Sequence, residues 1–312
     1  MKQQPIEVSI ISGFLGAGKT TLLNHMLASL PDKRIFVIEN EFGDLPIDGA
    51  LVNRKQNQMV ELPQGCICCT LDSKLEETLW QIVKNQEEVD LLLIESTGTA
   101  DPGNIGASFL QPAMQKHFDL LSGICVVDPE TVEERLQQVP ETGKQISFAT
   151  DIVINKTGYA SQEYLQKLAG ILGSINPFAE IRYSSDGTAD PGELLRPKIR
   201  NNQQVHQEWE DGHHRQHEVN SISYITRQTC DINELTSAVQ SMLLLYNHQI
   251  YRVKGVVFDH TGQAHLLQSA GKHVTCDKLT EWDEDSQQTR LVFIGKGLQE
   301  KTINRLLRKP FK

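Results

Sequence analysis

The 312-residue chain contains no apolar run of the roughly 18 residues that a membrane span requires. A transmembrane helix is therefore excluded. No secretory leader is expected. The first apolar stretch, Val8, Ile10 and Ile11, reads as a strand, and no small-residue cleavage pattern follows it. Basic residues are the minority, 30 Lys and Arg against 40 Asp and Glu, which leaves a net charge of −10. No electropositive surface for nucleic acid is expected. Cysteines number only six. A cytoplasmic location is expected, so these are thiols or metal ligands rather than disulfides. No internal repeat is found. Hydrophobic residues still make up 39% of the chain, enough for a real core, and the length suggests two domains.

Against these absences stands one complete motif. Gly13 is followed, after four residues, by Gly18-Lys19-Thr20, the P-loop pattern. An apolar strand precedes it, and Leu22, Leu23, Met26, Leu27 and Leu30 follow at helical spacing. That strand–loop–helix context is what the motif requires. Gly13, Gly16 and Gly18 let successive N–H groups converge on phosphate oxygens. The helix adds its positive end to the same anion. Lys19 is expected to bridge the β- and γ-phosphates and the Thr20 hydroxyl to ligate Mg²⁺. Ala17 and Thr21 complete the nucleotide-binding loop.

Strands and helices then alternate. Residues 34–38 read as a buried strand, followed by Glu39-Asn40-Glu41-Phe42-Gly43-Asp44. In open α/β sheets ligands gather at that end of a strand, although a solvated acidic turn has the same composition. Residues 59–62 form a short strand that leads through Pro63-Gln64-Gly65 into Cys66-Ile67-Cys68-Cys69, before a helix carrying Leu71, Leu75, Leu79, Ile82 and Val83. The strand at 89–95 ends on Glu95 and runs into Ser96-Thr97-Gly98. A hydrophobic strand ending in a carboxylate, paired with a P-loop, is a Walker-B arrangement. Glu95 is thus placed near Mg²⁺, and the Gly98 N–H near the γ-phosphate. Asp101-Pro102 reads as a helix cap, and Asp128-Pro129-Glu130 repeats it, with Val132, Leu136 and Val139 continuing that helix. Residues 121–127 and 151–156 are further strands, the second ending in Asn155-Lys156. A helix capped by Ser161 is expected to stop at Gly173. The alternation implies an α/β P-loop NTPase with a mainly parallel sheet, spanning 1–196.

Between 197 and 218 apolar residues nearly vanish, and His206, His213, His214 and His217 lie among Gln, Asn and charge. Loose metal capture and a solvated linker both fit this composition. From 219 to 312, five strand-like segments and two helices suggest a smaller α+β domain.

Three thiols within four residues are rare. The spacing is not that of a zinc finger, and no second paired-cysteine element follows. Cys68 and Cys69 would point to opposite sides of a straight strand, so a shared metal requires a bend, which Gly65 and the following helix permit. A nearby helix start lowers thiol pKa, and soft thiolates favour Zn²⁺ or Cu(I). A buried apolar cluster and a redox pair are the alternatives.

Taken together, Gly13 to Thr21, Glu39-Asn40-Glu41-Phe42-Gly43, Gly65-Cys66-Ile67-Cys68-Cys69, and Glu95-Ser96-Thr97-Gly98 with Ala100-Asp101-Pro102-Gly103 resemble the hallmarks of the CobW-type GTPases. The likeness continues through Arg252-Val253-Lys254-Gly255 and Leu291-Val292-Phe293-Ile294-Gly295, and the YjiA-like branch is nearest. The resemblance implies a zinc-binding GTPase that delivers metal to client metalloproteins. It implies metal held by Cys66, Cys68, Cys69 and Glu39, with Asp44 and Glu76 as secondary ligands. Cobalt or iron remains open as the cargo, and a homodimer is compatible with the chain.

One position departs from the family. Its base-reading Asn/Thr-Lys-x-Asp appears as Asn155-Lys156-Thr157-Gly158. Each hydrogen bond lost from a charged group to the base costs about 1.5–3 kcal/mol, so preference for GTP over ATP is less secure than phosphate binding. With Lys19, Thr20 and Glu95 as the expected catalytic residues, and no evident arginine finger or water-positioning glutamine, intrinsic turnover is expected to be slow. A nucleotide-modulated metal buffer and a small-molecule kinase are the rival readings.

Overall fold

The computed structural model describes residues 4–39, 58–61, 71–84, 89–197, 218–279 and 288–311. Seven described strands come from the first part of the chain. The near-continuous apolar ones among them, such as Leu91–Glu95 and Asp151–Ile154, are buried on both faces, as strands of a parallel sheet are, whereas Glu180–Tyr183 is part-exposed. The seven are β1 (Ile6–Ser12), β2 (Ile35–Glu39), β3 (Gln58–Glu61), β4 (Leu91–Glu95), β5 (Phe118–Val127), β6 (Asp151–Ile154) and β7 (Glu180–Tyr183). They form one sheet in the order β3-β2-β4-β1-β5-β6-β7, and every pairing is parallel.

Helices cover both sides. On one face, α1 (Lys19–Ser29) packs Leu22, Leu23 and Met26 against Ile35, Val37, Leu91 and Leu93. On the other, α2 (Leu71–Lys84) and α3 (Pro102–Phe109) bury Leu75, Leu79, Ile82, Ile105 and Phe109 against Ile38, Leu92 and Ile94. The expected cap of α3 is present: the Asp101 carboxylate accepts from the Gly103 N–H at 2.9 Å, and Pro102 opens the helix.

Three expectations are corrected. Asp128 does accept from the Glu130 N–H, but α4 (Val132–Gln138) starts later, behind Thr131. Val139 does not continue α4. Its backbone is extended because Pro140 follows and excludes the helical conformation. A separate helix, α5 (Pro140–Phe148), begins at that proline. The helix capped by Ser161, α6 (Gln162–Ile175), passes through Gly173 and ends beyond it. The buried Ile175 anchors its last turn, and the Asn176 amide binds the carbonyls of Ile146 and Ala149. α7 (Pro191–Leu194) is a single turn capped by Asp190.

The second sheet is antiparallel, ordered β11-β10-β9-β12-β8. Its strands are β8 (Val219–Thr226), β9 (Ile250–Phe258), β10 (Ala264–Ala270), β11 (His273–Lys278) and β12 (Thr289–Lys296). One face carries α8 (Ile232–Leu245), capped by Asp231, and α9 (Glu300–Leu307). The other lies against α3 and α5 of the first unit. Val219, Tyr251, Val292 and Ile294 share an apolar cluster with Ile146 of α5 and Leu172 of α6.

Candidate nucleotide and metal site

The P-loop is shaped by backbone geometry that only glycine tolerates. Gly13 has φ of 137°, and a Cβ there would sit 2.1 Å from the Val126 carbonyl oxygen of β5. Gly18 has φ of 106° and would press a Cβ to 2.3 Å from the Asn155 amide nitrogen. These positive φ values are strained for any residue with a side chain. The loop delivers Lys19, the first residue of α1, into a buried position where its ammonium donates to the Phe14 carbonyl at 3.4 Å.

The Walker-B reading brings its two residues together. The Thr20 hydroxyl donates to the Glu95 carboxylate at 2.9 Å. Glu95 is buried at the C-terminal end of β4, beside Ile11 of β1 in register. Two hard oxygen donors from different elements, meeting at a P-loop, form a donor set that suits a small divalent cation. After β4 the chain turns back over the loop: a Cβ on Gly98 would lie 2.6 Å from the Leu15 amide nitrogen.

Asn155 is a fastener. Its amide donates to the Ala17 carbonyl at 2.9 Å, and its oxygen accepts from the Gly187 N–H at 2.7 Å. The P-loop and the turn after β7 are thereby tied to the end of β6. Lys156 sits in a left-handed conformation (φ 54°) and pairs with Asp128 at 2.8 Å. At Gly158 a Cβ would meet nothing within 4 Å.

On the metal side, Cys66, Cys68, Cys69 and Asp44 lie outside the described residues, as do His206, His213, His214 and His217. Glu39 is described, and its place is informative. It ends β2 in register with Glu95 on one side and with Glu61 of β3 on the other. Residues level across parallel strands share a face, so Glu39 stands next to Glu95. Cys66 follows Glu61 by five positions in the chain. Glu76 is exposed on α2. Among the described residues no cluster of three or more His, Cys, Asp or Glu could hold a metal.

The other thiols are poor candidates. Burial pushes Cys125, Cys230 and Cys276 up to about 12. A metal takes the thiolate, so a thiol held protonated this firmly is a weak ligand. Cys125 lies on β5 beside Ser12 and Lys19, both of which favour its thiolate, yet desolvation prevails.

Sequence reasoning missed Gln145. This residue of α5 is buried, and its amide nitrogen donates to the carbonyls of Gly98 and Ala100, both at 3.1 Å. The helix carrying it has little apolar periodicity, because its inward residues include Thr142, Gln145 and Ser147. Pro140 at the helix start was the one available signal.

Comparison with known proteins agrees with this architecture. Residues 7–182 match the CobW/HypB/UreG nucleotide-binding domain family, and residues 219–310 match the cobalamin synthesis protein cobW C-terminal domain family. The chain is 31% identical to the zinc chaperone YjiA of Escherichia coli over 96% of each chain. It is 29% identical to the zinc chaperone CobW of Pseudomonas aeruginosa, over 97% of this chain and 91% of that one. The crystal structure of Zn(II)-bound YjiA GTPase superposes with a TM-score of 0.77 at 27% identity, covering 99% of this chain and 100% of that one. A Zn(II)-bound triple mutant of YjiA, with a glutamate and two cysteines changed to alanine, also gives 0.77. Both family domains are matched in chain order, on an all-parallel P-loop sheet followed by an antiparallel one, and the chain belongs to the CobW/HypB/UreG family.

Proposed function

We propose that the chain is a zinc-binding GTPase that acts as a metallochaperone, with hydrolysis at the P-loop governing release of Zn²⁺ to a client metalloprotein. The observation that carries this reading is the register of Glu39 beside Glu95. It sets the edge expected to handle metal next to the edge expected to handle phosphate.

In this reading the backbone of Gly13, Gly16, Ala17 and Gly18 holds the phosphates, with Thr21 behind them. Lys19 neutralises charge on the transferring group. Thr20 and Glu95 hold Mg²⁺, which, when bound, offsets phosphate charge. Gly98 presents its N–H to the γ-phosphate. Asn155 and Lys156 frame the base. Zn²⁺, the cargo, is taken by Cys66, Cys68, Cys69 and Glu39, with Asp44 and Glu76 as outer ligands. The working units are 1–196 and 219–312, joined by 197–218. The chain works in the cytoplasm; among the described residues no helix is long and apolar enough to cross a membrane.

The test compares wild type with the Cys68→Ser, Cys69→Ser double variant by competition titration against a zinc chelator, and measures GTP and ATP hydrolysis beside it. Affinity is the proper readout, because a triple mutant of YjiA still appears with zinc in its crystal. Tight zinc binding should fall by roughly 100-fold or more while slow GTP hydrolysis persists. Unchanged zinc affinity in the double variant would remove the metallochaperone reading. A phosphorylated small-molecule product would point to a kinase instead.

A further inference from the structure

α5 touches the turn after β4 with one side and the second sheet with its end. On the first side, Gln145 gives both amide hydrogens to the turn after β4, one to Gly98 and one to Ala100. Its neighbour Lys144 pairs with Asp101, the cap of α3, at 3.3 Å. The Gly98–Asp101 turn is thus held at three points by two successive residues of α5. The Gln145 side-chain oxygen is buried without a hydrogen-bond partner among the described residues. A buried amide left half satisfied costs stability, and Leu or Met would fill the same volume with no orphaned oxygen. The two donated bonds are what the glutamine supplies.

At its other end, α5 presents the carbonyls of Ser147 and Phe148. Both accept from the guanidinium of Arg252 on β9, the Ser147 bond at 2.8 Å. A cation on the last carbonyls of a helix satisfies orphan acceptors and complements the helix dipole. Arg252 is buried, and among the described residues no carboxylate pairs with it. Phe148 fixes this end of α5: Cβ atoms on Gly106 of α3 and Gly123 of β5 would come within 2.7 Å and 2.6 Å of its ring. α3 in turn touches the β10–β11 turn, where Gly103 and Gly271 approach closely.

We propose that Gln145 is a positioning residue for hydrolysis, and that α5 with Arg252 makes its grip on the Gly98 turn answer to the second sheet. Both hydrogens of the Gln145 amide are committed to the Gly98 and Ala100 carbonyls. Gln145 fixes the Gly98–Thr99 and Ala100–Asp101 peptide planes, and so restrains the turn that carries the Gly98 N–H. A shift of the second sheet, such as a docked protein would impose, moves the Arg252 guanidinium, the end of α5 and Gln145 as one piece. Hydrolysis can then be set from the second unit without an inserted arginine. This rests on the GTPase reading above and adds to it a route by which a partner regulates the rate.

The experiment measures steady-state GTP hydrolysis and GDP affinity for the full chain carrying Gln145→Met, Arg252→Lys, or both. Gln145→Met should lower kcat roughly 10-fold or more, with GDP affinity within about twofold of wild type, because the P-loop is untouched. Arg252→Lys keeps the charge but loses the forked contact, and should lower kcat in the same direction. The double variant should be no slower than the worse single variant, as expected for residues on one route. In wild type, amide exchange over residues 96–101 should slow when a non-hydrolysable GTP analogue replaces GDP, and that difference should shrink in Arg252→Lys. The proposal is overturned by kcat within twofold of wild type in Gln145→Met, by kcat and GDP affinity falling together, or by fully additive losses. If Gln145→Met does not fold, the exchange comparison in Arg252→Lys decides in its place. Absence of GTP hydrolysis in wild type would instead bring down the GTPase reading itself.

Discussion

Lys254 makes a sharp prediction. It lies on β9 two residues from Arg252, is 1% exposed, and faces the Phe178 ring at 5.1 Å. Among the described residues its ammonium has no hydrogen-bond partner. Burial, with Arg252 as a second cause, brings its pKa down from 10.5 to about 7. The unfolded chain therefore keeps this proton up to about pH 10.5, while the folded chain releases it near 7. Between those values the unfolded state binds more protons, so stability rises with pH, by at most about 1.4 kcal/mol per pH unit. Below about pH 7 both states hold the proton and this contribution is flat. Lys254→Met keeps most of the volume and removes the titration. From pH 7 to 9 wild type should gain on the order of 2 kcal/mol relative to the variant. Urea unfolding followed by circular dichroism, without nucleotide or zinc, measures this at each pH. Parallel stability curves for the two proteins would refute the reasoning, since the ammonium would then be solvated in the folded state.

Other expectations follow from the same geometry. Gly13→Ala would drive a methyl group onto the Val126 carbonyl at a φ of 137°, so affinity for a fluorescent GDP analogue should drop at least about 100-fold. Gly158→Asp meets no steric obstacle and restores a base-reading carboxylate; competition binding should show GTP favoured over ATP by a further ~10-fold or more. Arg182→Met would leave the fully buried Asp151 without the guanidinium 2.8 Å away. It should destabilise the first unit by about 3 kcal/mol in denaturant unfolding.

Which parts of the molecule were legible depended on how local the physics is. The P-loop, the strand ending in Glu95 and the caps at Asp101 and Ser161 are set within a few residues, and all lie where the sequence puts them. α5 and β7 were not legible. α5 buries polar residues against the polar turn after β4, so it carries no apolar stripe. β7, with Glu180 and Arg182, is an edge strand held by backbone pairing to β6 and by the ion pair to Asp151. Val139 illustrates a boundary decided by one neighbour: it fits the α4 pattern, but Pro140 makes it extended. Gly173 illustrates the reverse, a residue that often ends helices overruled by the burial of Ile175 beyond it. The fastening role of Asn155 joins Ala17 to Gly187, which are far apart in sequence, and only the folded chain reveals it.

In the proposed function the thiolate site and the phosphate site act as one unit across the carboxyl ends of β2 and β4. This coupling is tested most directly by zinc affinity measured on the purified chain with GDP, with a non-hydrolysable GTP analogue, and with neither. Dissociation constants should differ by about tenfold or more between the two nucleotide states. Identical affinities in all three conditions would contradict the coupling.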